Sequence, residues 1–313
     1  MENYDFNVKE KIQEAQTISK DVYSNPKVFN LIKKKVFENH WQLITDLDHV
    51  KIPGQYLISS FLDSLIEEPI LLTRDLNDKI HCLSNVCTHR GNILVEFSGH
   101  TTKHLRCRYH GRRFELDGSF HSMPEMDKAL NFPCESDNLI KIPFKQWKKF
   151  IFASLNPLVK FSDYIKPIDE RIEFLPLDEF IFDSERSQDY VLKANWVLYV
   201  ENYLEGFHIP YVHPGLANEL DLGNYMIELY EFSSLQVGIA TGGKILFDLP
   251  KDHQDFGQNV AAYYFWLFPN LMMNFYPWGL SINIIKPLAI NKTRISYLTY
   301  VWKEDLIHLG AGA

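Results

Sequence analysis

Residues 87–111 read CTHRGNILVEFSGHTTKHLRCRYHG. Two of the chain's four cysteines stand here, each with a histidine close behind it. Cys87 and His89 are separated by one residue, Cys107 and His110 by two, and seventeen residues lie between the pairs. The first loop leaves a predicted strand and carries Gly91; the second is followed at once by Gly111. Two buried cysteines beside two surface histidines would be the plainest interpretation. Zinc also accepts two thiolates and two imidazoles, so ligand identity alone does not decide. The usual zinc spacings, however, pair Cys with Cys and His with His along the chain. The alternation C-x-H…C-x-x-H suits a [2Fe–2S] cluster, with two thiolates on one iron and two imidazoles on the other. That ligand set places the reduction potential at roughly −150 to +300 mV.

The rest of the chain sets the bounds. At 313 residues, 46% of them hydrophobic and 14% aromatic, it has room for two domains with cores of their own. A net charge of −8 argues against a nucleic-acid surface. No run reaches the ~18 consecutive apolar residues of a membrane span. The start, MENYDFNVKEKIQEAQ, lacks the apolar centre of a secretory signal. Four cysteines in so long a chain make no disulfide framework, and a cytoplasmic location is expected. Three parts are predicted. Residues 1–40 form a helical segment, with Val28, Leu31, Ile32 and Val36 as its apolar stripe. Residues 41–155 are β-rich: 70–74 and 79–86 read as strands around the turn 75–78, and Asp117-Gly118 marks another hairpin. Residues 156–313 mix helices with long strands, as in AAYYFWLFP (261–269), LSINIIKPL (280–288) and TRISYLTYVW (293–302).

A second motif, ENYLEGFHIPYVHPG, covers 201–215. Asn202, Glu205 and His208 recur every three residues and would share one face of a helix. His208 and His213 are five apart, about 140° around a regular helix. Both reach one ion only if the helix bends or ends between them, and Pro210 supplies a reason. Two imidazoles and a carboxylate on one face of an iron leave positions open for O2, water or substrate. Packing plus a surface site is the alternative for two histidines beside an aromatic helix.

CTHRG followed by CRYHGRRFELDGSF resembles the cluster-binding loops of Rieske non-haem iron oxygenases. Glu205-x-x-His208-x4-His213 is similar to the same family's pattern of an acidic residue and two histidines. The resemblance spans nearly the whole chain, from YSNPKVFNLIKKKVFENHW onward. It implies an α+β protein: an all-β Rieske domain, then a helix-grip (START-like) antiparallel-sheet catalytic domain. It also implies Cys87 and Cys107 on one iron of the cluster and His89 and His110 on the other. Cys82 and Cys134 would be core residues, and His81, His100 and His104 would not be ligands. His208 and His213 would bind a mononuclear Fe(II), with O2 as co-substrate.

The family often assembles as a ring of three subunits. Glu205 would then link His110 of one subunit to His208 of the next, accepting the free N–H of each ligating ring. Most of the family has Asp at this place; Glu resembles the branch acting on quaternary amines, the carnitine, glycine-betaine and choline monooxygenases. A third iron ligand, Asp or Glu, is expected from a long C-terminal helix. Nothing before Ala313 matches it, Glu219 and Asp221 included, so the catalytic domain looks incomplete and the natural protein is expected to continue.

Trp266, Phe275, Tyr276 and Trp278, in the aromatic run 263–279, are the candidate substrate contacts. Aromatic faces attract a quaternary ammonium by about 0.5–2 kcal/mol each. No glycine-rich dinucleotide loop stands on a strand–helix unit, so electrons would come from a separate NAD(P)H-dependent flavin/iron–sulfur reductase. The expected function is a terminal oxygenase that hydroxylates or N-dealkylates a small organic molecule. The alternatives are an aromatic-ring-hydroxylating dioxygenase alpha subunit, an electron-transfer Rieske protein with a non-catalytic second domain, and a zinc-stabilised structural protein.

Overall fold

The computed structural model describes residues 6, 8, 9, 11–213, 221, 223, 225–241 and 245–308. The chain enters through two short helices, α1 (Asp21–Ser24) and α2 (Pro26–Ile32). The Asn25 side chain accepts the Lys27 N–H and Pro26 takes the first turn of α2, a normal helix start. A π-helical turn, Lys33–Phe37, follows and shifts the phase of the apolar stripe. Val28 is buried as expected, but Leu31 is exposed, and Phe37 rather than Val36 goes fully inside.

Ten strands follow in the first β-rich part: β1 (Gln42–Asp46), β2 (Gln55–Leu62), β3 (Ile66–Arg74), β4 (Ile80–Ser84) and β5 (Gly99–His100). After these come β6 (Leu105–Arg106), β7 (Arg113–Phe114), β8 (Phe120–Ser122), β9 (Phe144–Trp147) and β10 (Phe150–Ala153). They form three antiparallel sheets, ordered β1-β10-β9, β4-β3-β2-β5 and β6-β7-β8. The β3–β4 turn is set by Asp75, whose carboxylate accepts the N–H groups of Asn77 and Lys79 at 2.9 Å each.

The second part opens with α3 (Phe161–Arg171) and contains one large sheet. Its strands are β11 (Ile181–Leu192), β12 (Met226–Leu229), β13 (Ser233–Ile239) and β14 (Val260–Leu267). The last three are β15 (Leu271–Tyr276), β16 (Gly279–Ala289) and β17 (Lys292–Val301). The order is β11-β17-β16-β15-β14-β13-β12, antiparallel throughout, so the few-helix, sheet-rich α+β architecture is the one expected. Helix α4 (Trp196–Leu204) lies over this sheet: Trp196 and Val200, one turn apart, pack with Met272, Ile285 and Ile295. Phe61, Ile66 and Ile70 of the first part join the same cluster. A second shared core sets Trp41, Phe150 and Phe152 against α3 and the opposite face of the large sheet. The two parts are therefore joined by apolar packing. No helix among the described residues is long and apolar enough to cross a membrane.

Candidate metal centres and active site

The loops at Cys87 and Cys107 are structural copies. In each, the cysteine carbonyl accepts from the glycine four residues on: Gly91 N–H at 3.0 Å and Gly111 N–H at 3.1 Å. In each, the cysteine N–H donates at 2.8 Å to the residue after that glycine, Asn92 or Arg112. Both glycines sit in the left-handed region, at φ 67° and 73°, which lets the chain turn back so tightly. The different Cys–His spacings are thus absorbed inside one loop frame. Both cysteines are free and buried, and the two rings, half-buried at the loop tips, lie 4.7 Å apart at 71°. Asn92 Nδ2 donates across from one loop to Cys107 Sγ at 3.7 Å.

Asp137 ties the two loops together from beneath. Its carbonyl accepts from Thr88 Oγ1 of the first loop at 2.8 Å and from Arg112 Nη2 of the second at 2.9 Å. Its carboxylate pairs with the same Arg112 nitrogen at 2.5 Å, and the guanidinium, 3% exposed, lies over the Phe120 ring at 4.8 Å. Burial pushes the Cys87 thiol up, with the neighbouring Cys107 thiol adding to the shift. His89 is held down by desolvation and by the positive charges of His110, Arg90 and Arg112. Two adjacent inward sulfurs and two outward imidazoles fit a [2Fe–2S] cluster with divided ligands. Cys82 is buried in the core, whereas Cys134 is exposed beside a short helical turn, contrary to expectation.

The second motif is not one helix. Helix α4 ends at Leu204, and Glu205 is extended at φ −126°, ψ 150°. A new single turn, α5 (Ile209–Val212), begins after His208 and ends before His213, with Pro210 in its first turn. The break therefore falls before Gly206, and Pro210 starts the next helix where its missing N–H costs nothing. Glu205 organises this corner. Oε2 accepts the N–H groups of Phe207 and His208 at 2.5 and 3.2 Å, and Oε1 faces His208 Nδ1 at 2.6 Å. With Nδ1–H directed to Glu205, Nε2 of His208 is the free ligand atom. The His208 and His213 rings stand 5.2 Å apart at 77°. Two imidazoles so placed, one held by a carboxylate, fit a mononuclear iron. Glu219 lies outside the described residues; Asp221 is engaged with the Gly223 N–H at 3.0 Å.

Asn202, Glu205, His208 and His213 all border one cavity of about 430 Å³. Six tyrosines also line it: Tyr199 and Tyr203 from α4, Tyr225, Tyr264, Tyr276 and Tyr297. A side-chain relay runs along its wall. Tyr203 donates to Asn274 Oδ1 at 2.7 Å, Asn274 to Asn283 Oδ1 at 3.2 Å, and Asn283 to Tyr199 at 3.2 Å. Tyr199 and Tyr297 share a hydroxyl contact of 2.5 Å. Burial pushes the phenols of Tyr203, Tyr225, Tyr264, Tyr276 and Tyr297 up, so these five keep their protons at neutral pH.

Three sequence candidates do not line this cavity among the described residues. Phe275 points to the opposite face of the sheet, because it alternates with Asn274 and Tyr276, and it is fully buried in the core below. Trp266 lies further along β14 in the cluster under α4, against Phe268. Trp278 stacks behind Tyr276 at 5.2 Å and 9°, one layer removed. Of that run, Tyr264, Asn274 and Tyr276 reach the cavity. The available signal was polarity: Asn274 and Asn283 interrupt apolar strands, and a buried amide there needs partners.

Residues 40–141 match the Rieske [2Fe-2S] domain, and residues 182–309 the catalytic domain of the ring hydroxylating alpha subunit. Chloroplastic choline monooxygenase of Arabidopsis thaliana is 28% identical over 306 residues, covering 94% of this chain and 69% of its own length. The carnitine monooxygenase oxygenase subunit of Escherichia coli K12 is 25% identical over 299 residues, covering 94% and 77%. Among solved structures, the quaternary ammonium Rieske monooxygenase CntA with L-carnitine has a TM-score of 0.76 at 22% identity, covering 94% of this chain and 79% of its own. Naphthalene 1,2-dioxygenase from Rhodococcus sp. has a TM-score of 0.74 at 21% identity, covering 92% and 74%. At these identities the two structures establish a shared fold.

Proposed function

We propose, from the premise that this chain belongs to the Rieske oxygenase alpha subunits, that it hydroxylates a quaternary amine at a carbon next to nitrogen. In the roles proposed here, Cys87, Cys107, His89 and His110 hold the [2Fe–2S] cluster, and His208 and His213 hold the mononuclear Fe(II). When bound, these groups supply single electrons and activation of O2. Glu205 keeps the proton of His208 on Nδ1, which fixes the ring and its free nitrogen.

The remaining acceptor capacity of Glu205 would take the N–H of His110 from a neighbouring subunit, in a ring of three. Exposed apolar side chains support such a contact at both ends: Phe207 and Tyr211 beside Glu205, and Tyr109 and Phe97 near the cluster loops. The electrons would come from a separate reductase carrying flavin and iron–sulfur groups. Asn202, on the α4 face toward the cavity, is placed to hold a substrate or water at its rim.

The observation that carries the substrate assignment is the cavity of about 430 Å³ walled by six tyrosines. Aromatic ring faces attract a cation that has no N–H to donate. The relay through Asn274 and Asn283 satisfies the polar atoms of the wall and keeps those rings in place. The balance is one C–H, O2, two electrons and two protons in, one C–OH and one water out. A carbinol formed next to the ammonium nitrogen loses its hydroxyl proton as the C–N bond breaks, the bonding pair staying on nitrogen, and so releases an aldehyde, a tertiary amine and one proton.

The test pairs oxygen consumption with product analysis over choline, carnitine, glycine betaine and naphthalene, using reduced protein and a reductase. A quaternary amine is expected to couple oxygen uptake to product; coupling by naphthalene alone would sink the assignment. His213→Ala should abolish turnover and leave the cluster's paramagnetic resonance spectrum unchanged.

A further inference from the structure

Away from both centres, His104, Glu115 and His121 bring two imidazole nitrogens and a carboxylate oxygen within 4.8 Å of one another. We propose that they form a binding site for a zinc-type divalent cation on the sheet that carries the second cluster loop. Each ring presents Nδ1 to a different oxygen of one carboxylate: His121 to Oε1 at 2.8 Å, His104 to Oε2 at 3.2 Å. The rings stack face to face, 3.6 Å between centroids at 21°, and the two contacts with Glu115 put both Nδ1 atoms on the side of that carboxylate.

The strand pairing explains how three distant residues meet. Arg113 pairs with Ser122 and Phe114 with Phe120, which leaves His121 as the unpaired residue of a bulge in β8. A bulge re-aims its side chain, here toward the end of β7 where Glu115 follows and His104 precedes β6.

Two imidazoles and a carboxylate are a sufficient protein donor set for zinc, with water in the fourth position. Each ring would coordinate through Nδ1 and keep its proton on Nε2. The outer side is open for that water, since His121 and Glu115 are 37% and 42% exposed. Nickel and copper suit the same nitrogen-rich set, whereas magnesium and calcium prefer all-oxygen sites. A bound ion would cross-link β6, β7 and β8 and so brace the segment running into Cys107.

The test is equilibrium dialysis of the holoprotein, cluster and catalytic iron in place, against micromolar free zinc, with zinc, iron and acid-labile sulfide counted per chain. Wild type is expected to hold one zinc beyond its unchanged iron. His121→Gln and Glu115→Gln, both at exposed positions, should lose that zinc and keep iron and sulfide. The thermal midpoint of cluster bleaching should rise with zinc in wild type and not in the variants. Absence of extra zinc in wild type, equal zinc in the variants, or zinc that enters only as iron leaves would each overturn the site.

Discussion

Glu205→Ala separates two roles that one carboxylate combines. Its Oε1 faces His208 Nδ1 at 2.6 Å, a hydrogen bond to a charged acceptor, of the kind worth roughly 1.5–3 kcal/mol. Removing an outer partner of a metal-ligating histidine typically weakens the metal roughly 10–100-fold. At about 1.4 kcal/mol per tenfold, that is roughly 1.4–2.8 kcal/mol, so the two routes agree. Glu205→Gln keeps an acceptor oxygen but not the charge. A neutral hydrogen bond is worth about 0.5–1.5 kcal/mol, which leaves a deficit near 1 kcal/mol and a loss of about five- to tenfold. Titrating Fe(II) into protein with its cluster intact and its mononuclear site stripped reads these numbers directly.

Excess Fe(II) should then refill the site in Glu205→Ala. If the carboxylate also bridges to His110 of a neighbouring subunit, single-turnover electron transfer stays slow in the refilled protein. Full recovery on refilling would refute the bridge and leave Glu205 as a positioning residue for His208. Iron affinity unchanged by either substitution would refute the reasoning from the hydrogen bond itself.

Arg112→Ala removes a guanidinium that is 3% exposed and leaves the Asp137 carboxylate with the Cys134 N–H, so a loss of about 1.5–3 kcal/mol is expected, the worth of a hydrogen bond to a charged group, read as a lower urea midpoint of cluster absorbance. An unchanged midpoint would mean the loops hold without this clamp. Phe275→Ala should cost about 3–5 kcal/mol through a core cavity, whereas Tyr276→Phe should cost only about 0.5–1.5 kcal/mol, its hydrogen bond with Tyr264, and shift KM for the amine. The reverse pattern would undo the assignment of faces on β15. Stability should also fall as pH rises above about 6.5: the Asp46 hydrogen bond holds His49 above its ordinary range, so its contribution is complete at lower pH and lost through the folded-state pKa. Asp46 is pushed up by burial but pulled lower by its bonds from His49 and Tyr300, so its own contribution disappears only in acid, below about 3.9. His49→Gln should flatten the upper limb in urea melts, and an unaltered slope there would count against the pair.

What could be read from the chain followed from how local each signal is. The loop at 87–111 was legible because its chemistry is written in residue types that sheets and helices seldom need together, and Gly91 and Gly111 mark the turns themselves. Strand alternation around Asp75–Asp78 was equally local, fixed by one carboxylate. The corner at Glu205 was legible in composition and misread in geometry. Three-residue spacing suggested a helical face, yet a side chain that can cap backbone N–H groups competes with the helix, and Glu205 spends Oε2 on two of them.

The cavity lay furthest from the sequence, because which face of β14 to β16 looks inward depends on where α4 lands, some sixty residues earlier in the chain. Aromatic density in 263–279 pointed to the core as strongly as to a site, and Phe275, Trp266 and Trp278 went to the core. Asn274 and Asn283 carried the better information. A strand buried on both faces can be apolar throughout, so an amide in it must answer to something, and here each amide is bonded into the tyrosine wall. His104 and His121 show the same effect at longer range: seventeen positions apart and outside any shared motif, they meet because a bulge in β8 turns one toward the other.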